Sequence, residues 1–150
     1  MGLDQILISS KRGTVIDWRK ANQIHGWFDH QLGGVKNVTK YPVKVTQLEF
    51  LLEDCIRVKE HLIAGGMKGF EKVTERGTKD GQPFEKKEMV PMFVNVSLAQ
   101  ELLPPTPGFF FGGYDFDEWY LKQINETIEK LMQVLSTKQK GERFYYEAWW

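Results

Sequence analysis

The spacing of apolar residues is the feature that most constrains this chain. Three stretches repeat apolar side chains at intervals of three and four residues, which predicts three amphipathic helices. The three seams are Trp18, Ala21, His25, Phe28 and Leu32; Leu48, Leu51, Leu52, Cys55, Val58 (or Lys59) and Leu62; and Leu121, Ile124, Ile128, Leu131 and Leu135. Three such helices with few strand-like segments indicate an α+β fold, with the helices packed mainly on one face of a small antiparallel or mixed sheet.

Capping signals set the predicted boundaries of these helices. An oxygen-bearing side chain before a helix accepts a hydrogen bond from its first free N–H groups, and glycine ends many helices. Such signals put the helices at Asp17 to about Leu32, at Thr46 to Gly65-Gly66, and from Asp115 onward. The second start is the clearest, because Thr46 and Glu49 form the Thr-x-x-Glu capping-box pattern. A further short helical turn is predicted at Ser97 to Leu103, before two prolines.

Three shorter segments have the composition of strands: Leu3 to Ser9, Tyr41 to Val45 and Arg143 to Trp150. The first is apolar enough to be central in a sheet, whereas Pro42 favours an edge position for the second. Residues 65–93 form an insertion rich in Gly, Lys and Glu. We interpret it as a hairpin that is mobile at its tip, with a mostly disordered segment as the alternative. The expected organisation is a single domain over residues 1–150.

Composition excludes several classes of function. Lys plus Arg and Asp plus Glu each number 20, which argues against general nucleic-acid binding through a diffusely basic surface. The single cysteine, Cys55, allows no intrachain disulfide and favours a reducing cytoplasm. We expect no signal peptide and no membrane span, since no apolar run approaches the roughly 18 residues that a span needs. The glycine-rich segment before the third helix lacks a Gly-Lys-Ser/Thr sequence, so no cofactor is expected.

The first predicted helix carries the best candidates for chemistry. Asn22, His25 and Asp29 lie within an arc of about 60° on a helix of 3.6 residues per turn. A histidine with a carboxylate four residues later suits a general base or a ligand contact. The alternative is a histidine that packs in the seam and bonds to the backbone. His30 projects away from His25, so no metal site is predicted.

Aromatic residues make up 13% of the chain: five Trp, five Tyr and ten Phe. Many of them lie near the polar candidates, and aromatic rings with polar tips are frequent in ligand clefts and interfaces. The predicted ligand-binding residues are Trp18, Arg19, Asn22, His25, Asp29, Phe110, Tyr114, Glu118 and Trp119. If the chain is catalytic, the candidates for its acid and base are His25, Asp29 and Glu118.

Several motifs resemble those of a family of small proteins encoded in bacteriophages and in bacterial genomes that carry prophages. They are Met-Gly-Leu-Asp at the start, Trp-Arg-Lys-Ala-Asn-x-Ile-His-x-Trp-Phe from Trp18, Gly-Phe-Phe-Phe-Gly from Gly108 and Asp-Glu-Trp-Tyr from Asp117. The resemblance covers about two thirds of the chain and leaves the insertion unmatched. It implies a phage origin and a host-cytoplasm context, and it transfers no catalytic residue.

Three functional hypotheses follow from these patterns. The first is a phage accessory protein that binds a host protein or sequesters a small nucleotide-like host molecule, as a means of countering host defence. The second is a small hydrolase that acts on a nucleotide-like substrate through His25 with Asp29 or Glu118. The third is a structural protein that forms homo-oligomers through its aromatic C-terminal strand.

Overall fold

The computed structural model describes residues 2–108 and 111–150, and this part of the chain forms an α+β fold with four helices and two antiparallel sheets. The elements are β1 (Asp4–Ser9), β2 (Gly13–Arg19), α1 (Asn22–Gln31), β3 (Tyr41–Val43), α2 (Val45–Gly65), β4 (Met67–Lys79), β5 (Gln82–Phe93), α3 (Ser97–Leu102), α4 (Glu118–Ser136) and β6 (Phe144–Trp149). None of the described helices combines the length and the hydropathy that crossing a membrane would require.

The larger sheet has the strand order β2-β1-β6-β3, so β1 is central and β3 lies at an edge, as the sequence predicts. Side chains alternate between its two faces because successive residues of a strand point in opposite directions. Leu7 lies opposite Ile16 of β2 and Tyr146 of β6, and all three are buried. The C-terminal strand therefore contributes to the core of its own chain, while Trp149 remains partly exposed.

Helix α1 packs on this buried face. The ring of Phe28 stacks on Tyr146 with centroids 4.0 Å apart, and Trp18 meets the same phenylalanine edge-on at 5.9 Å. Helix α4 reaches the same core through Thr127, whose hydroxyl accepts a 2.9 Å hydrogen bond from Trp18 Nε1. These contacts fix the C-terminal half of α1, through Phe28, and the middle of α4, through Thr127, relative to the larger sheet.

Residues 13–19 form strand β2, so the prediction that Asp17 caps a helix is wrong. Ile16 and Trp18 are buried while Asp17 is exposed, which is the alternation of a strand. The register pairs Trp18 with Gln5 of β1. The three-residue step from Trp18 to Ala21 imitates a helical seam, but the hydrogen bonds available along β1 favour the strand. Helix α1 begins only at Asn22.

The starts of the other long helices also differ from the predictions. Helix α2 begins at Val45 rather than Thr46, and its first turn is capped by Gln47, whose side-chain oxygen accepts a 2.9 Å bond from the Lys44 N–H. Helix α4 begins at Glu118 rather than near Asp115, because Asp117 accepts a 3.0 Å bond from the N–H of Tyr120. In both cases a neighbouring polar side chain supplies the capping oxygen.

The insertion is a long hairpin, as one of the two interpretations of the sequence predicts. The pairing of β4 with β5 runs from Met67 opposite Phe93 to Lys79 opposite Gln82, where a tight turn joins the two strands. Asp80 and Gly81 have φ values of 53° and 77°, the conformation that two-residue hairpin turns favour. Most of its side chains are exposed.

Candidate functional site

His25 is buried and held by a chain of hydrogen bonds. Only 4% of the residue is exposed, and Nδ1 lies 2.8 Å from the hydroxyl of Tyr146. That hydroxyl donates to Gln5 Oε1 at 2.8 Å, while Gln5 Nε2 donates to the Ala21 carbonyl at 2.9 Å. The only hydrogen of the Tyr146 hydroxyl is thus used, so His25 Nδ1 is the donor to it. Burial lowers the pKa of His25, although the negative charge of Asp29 opposes this effect.

The two carboxylates proposed as partners of His25 are engaged elsewhere or exposed. Asp29 lies at the surface and accepts a 2.7 Å bond from the Val35 N–H, which closes the loop after α1. Glu118 is exposed in the first turn of α4. No hydrogen bond within residues 2–108 and 111–150 joins either carboxylate to His25. The geometry therefore gives the hydrolase hypothesis no support.

Asn22 and Tyr114 fix the loop between α3 and α4. The amide of Asn22 donates to the carbonyls of Phe111 and Gly113 at 3.2 and 2.9 Å, and its oxygen accepts from the Thr106 N–H at 2.9 Å. The Tyr114 hydroxyl donates to the Gly108 carbonyl at 3.1 Å. Both side chains serve the loop itself. Phe110, the remaining predicted residue of this segment, lies outside the described residues.

Three of the predicted ligand-binding residues do come together. Trp18 and Arg19 at the end of β2 and Trp119 in the first turn of α4 line one hollow of about 380 Å³, which we call the β2–α4 hollow. Trp18 forms its buried side, whereas 53% of Trp119 is exposed. Lys20 lines the same hollow. An indole ring this open to solvent is available for stacking against a flat ligand.

The charges around the β2–α4 hollow are mainly positive. Lys130 is held by Asp17, whose carboxylate lies 3.6 Å away. Arg19 and Lys20 form no ion pair with any described residue. The ammonium of Lys122 lies 5.0 Å above the ring of Trp119. With Glu126 as the one other lining carboxylate in the described part of the chain, a net positive charge faces the hollow.

The backbone beneath the hollow is held by side chains that the sequence did not single out. Lys20 has a φ of 55° at the junction of β2 and α1, and its carbonyl accepts a 3.2 Å bond from Gln123. The side chain of Gln123 is buried and also accepts from Gln23 at 2.9 Å. The sequence signal for this contact is the polar residue Gln123 on the apolar face of α4, three residues after Tyr120. These hydrogen bonds therefore fix the backbone that carries Arg19 and Lys20.

This arrangement suits a ligand that combines a flat ring with an anionic group. Arginine and lysine donate charge-assisted hydrogen bonds to phosphate or carboxylate oxygens, and an exposed indole stacks on heterocyclic rings. Among the described residues, no group of three or more His, Cys, Asp or Glu side chains is placed to hold a metal ion. Cys55 is fully buried and burial raises the pKa of its thiol, which makes it an unreactive core residue.

Comparison with protein-family models, with curated proteins and with solved structures finds no match to the chain.

Proposed function

We propose that the chain is a phage-encoded binding protein that sequesters a small host molecule of nucleotide type in the β2–α4 hollow. The observation that carries this proposal is that Arg19 and Lys20, which form no ion pair with any described residue, line the same hollow as the half-exposed ring of Trp119. Capture of a nucleotide signal in this way is a means of countering host defence. The phage context is supported by the motifs described above, and the ligand class by the chemistry of the hollow.

In this proposal each side of the hollow has a separate task. The guanidinium of Arg19 and the ammonium of Lys20 bind the phosphate oxygens. The indole of Trp119 stacks on the base, an interaction worth roughly 1–3 kcal/mol for each base that stacks on an aromatic side chain. No general base or nucleophile is required, which agrees with the buried and bonded state of His25.

Isothermal titration calorimetry with adenosine 5′-monophosphate tests the proposal. We expect the intact chain to bind the nucleotide, and Trp119→Ala to weaken binding by roughly 5- to 150-fold, the equivalent of 1–3 kcal/mol. Arg19→Ala should weaken binding of the nucleotide more than binding of adenosine, which lacks the phosphate.

The matched control is Met132→Ala, which removes another exposed apolar side chain from the same helix. It should leave the affinity unchanged. An intact chain with no affinity for the nucleotide would contradict the proposal, as would equal affinities for Trp119→Ala and the control.

A further inference from the structure

A second cavity lies between helices α1, α2 and α3, and we call it the three-helix cleft. Its volume is about 370 Å³, within the range of small-molecule sites. It shares no lining residue with the β2–α4 hollow. Its lining combines aromatic and acidic side chains: Trp27 of α1, Phe50 and Asp54 of α2, and Glu101 of α3.

Asp54 occupies a position that packing alone does not explain. It lies in the seam of α2 between Leu51 and Val58, and only 3% of the residue is exposed. A carboxylate is costly at such a place, because burial removes it from water. Burial accordingly raises the pKa of Asp54, an effect that Glu53 reinforces and that the Trp27 hydrogen bond and Arg57 oppose. An apolar residue would complete the seam without this cost.

One oxygen of the Asp54 carboxylate is left for a ligand. Oδ2 accepts a 3.0 Å hydrogen bond from Trp27 Nε1, and Oδ1 has no hydrogen-bond partner among the described residues. Among those residues, Asn125 Oδ1 is the one side-chain oxygen that is fully enclosed and without a partner. The unbonded Asp54 oxygen is therefore not fully enclosed, and Asp54 is one of the residues that line the cleft.

The walls of the cleft fit a flat, positively charged group. The rings of Trp27 and Phe50 lie 6.1 Å apart at an angle of 37°, and Phe50 is 46% exposed. Glu101 adds a second carboxylate to the lining, and His30 is the other ionisable side chain there. Aromatic faces attract cations electrostatically, and a carboxylate accepts two N–H groups from a planar amidinium or guanidinium.

We propose that the three-helix cleft binds a small organic cation with a planar amidinium or guanidinium group. Its N–H groups donate to Asp54, and its flat face lies against the exposed ring of Phe50, beside the buried Trp27. Trp27 Nε1 orients the carboxylate by holding Oδ2, so that the free oxygen faces the ligand. This site is separate from the β2–α4 hollow and carries the opposite charge. Its proposed ligand binding does not depend on nucleotide binding in that hollow.

Benzamidine and its neutral counterpart benzamide are the probes, since they have nearly the same shape and differ in charge. Isothermal titration calorimetry of the full chain should show that benzamidine binds at least 10-fold tighter than benzamide. Asp54→Asn keeps the shape of the side chain and removes its charge, so it should abolish this preference. Glu60→Gln neutralises an exposed carboxylate elsewhere on α2 and should change the affinity less than 2-fold.

Phe50→Ala is the second variant, because its partly exposed ring is not needed for the core. It should weaken benzamidine binding about 5-fold with an unchanged circular dichroism spectrum. The proposal is overturned if the intact chain binds neither probe at millimolar concentration or binds both equally. It is also overturned if Asp54→Asn and Phe50→Ala, both folded, bind benzamidine like the intact chain.

Discussion

Glu142 lies buried in the turn before β6, where four donors surround its carboxylate. Arg12 Nε and Nη2 lie at 2.6 and 3.0 Å, the Gln139 N–H lies at 3.0 Å, and the Ser9 hydroxyl completes the set. The hydrogen bond from Arg12 is the largest cause that lowers the pKa of Glu142 to about 2, against the opposing effect of burial. This cluster ties the β1–β2 turn to the end of α4.

Arg12→Ala should destabilise the fold most near neutral pH. A carboxylate whose folded pKa is lowered stabilises the protein above its unfolded value near 4.5, and this contribution is lost as pH falls toward 2. Removing the partner of a buried charge costs roughly 3 kcal/mol. Thermal unfolding followed by circular dichroism should therefore show a large deficit at pH 7 that narrows between pH 5 and pH 2.

Arg143, the exposed residue that follows Glu142, provides the control. Arg143→Ala should change the melting temperature little at pH 7 or at pH 3. A deficit for Arg12→Ala that is the same at pH 7 and pH 3 would show that packing, rather than the charge of Glu142, accounts for the loss.

Neighbours on one helix face are easier to predict from the sequence than contacts between distant elements. Helical spacing places Asn22 and His25 on one face of α1, which the structure bears out. Their hydrogen-bond partners lie 84 to 121 residues away in the chain, so no local pattern reveals them. Asp54 shows the same limit, because its role depends on Trp27, which lies 27 residues earlier.

At the scale of elements, glycine and proline signals are the most informative. Gly33 lies two residues after the end of α1, Gly66 directly follows α2 and Pro104 lies two residues after α3, all near the predicted positions. The error at β2 arises because a three-residue step fits a helix locally, whereas strand formation depends on pairing with β1. Local spacing cannot show that pairing.

Gly26→Ala tests how closely the loop after α3 approaches α1. A Cβ at this position would lie 2.0 Å from Thr106 Oγ1 and 3.2 Å from Thr106 Cβ, so the Thr106 side chain must rotate or the loop must shift. Alanine favours helices over glycine by about 1 kcal/mol, but we expect the clash to dominate and to destabilise the fold by roughly 1–3 kcal/mol. Urea unfolding measures the change in free energy.

Gly113→Ala serves as the comparison, because a Cβ there meets no atom within 4 Å. Thr106→Ala should recover part of the loss in the double variant, which a double-mutant cycle would show as coupling between the two positions. A Gly26→Ala chain as stable as the intact one would contradict the expected clash between this position and Thr106.

At the scale of the whole molecule, the balanced charge conceals two local imbalances. The chain has 20 basic and 20 acidic residues, yet the β2–α4 hollow presents Arg19 and Lys20 and the three-helix cleft presents Asp54 and Glu101. The spacing of apolar residues correctly predicts the α+β class, while composition argues against a diffusely basic surface. Composition gives no information about opposite charges gathered by the fold into separate cavities.

The most direct test of this account is a nuclear magnetic resonance titration that follows the indole N–H signals of the five tryptophans. Adenosine 5′-monophosphate should shift the signal of Trp119, which lines the β2–α4 hollow, and leave that of Trp27 in place. Benzamidine should do the reverse, because Trp27 Nε1 is bonded to Asp54. A nucleotide titration that leaves Trp119 unmoved would contradict the proposed function.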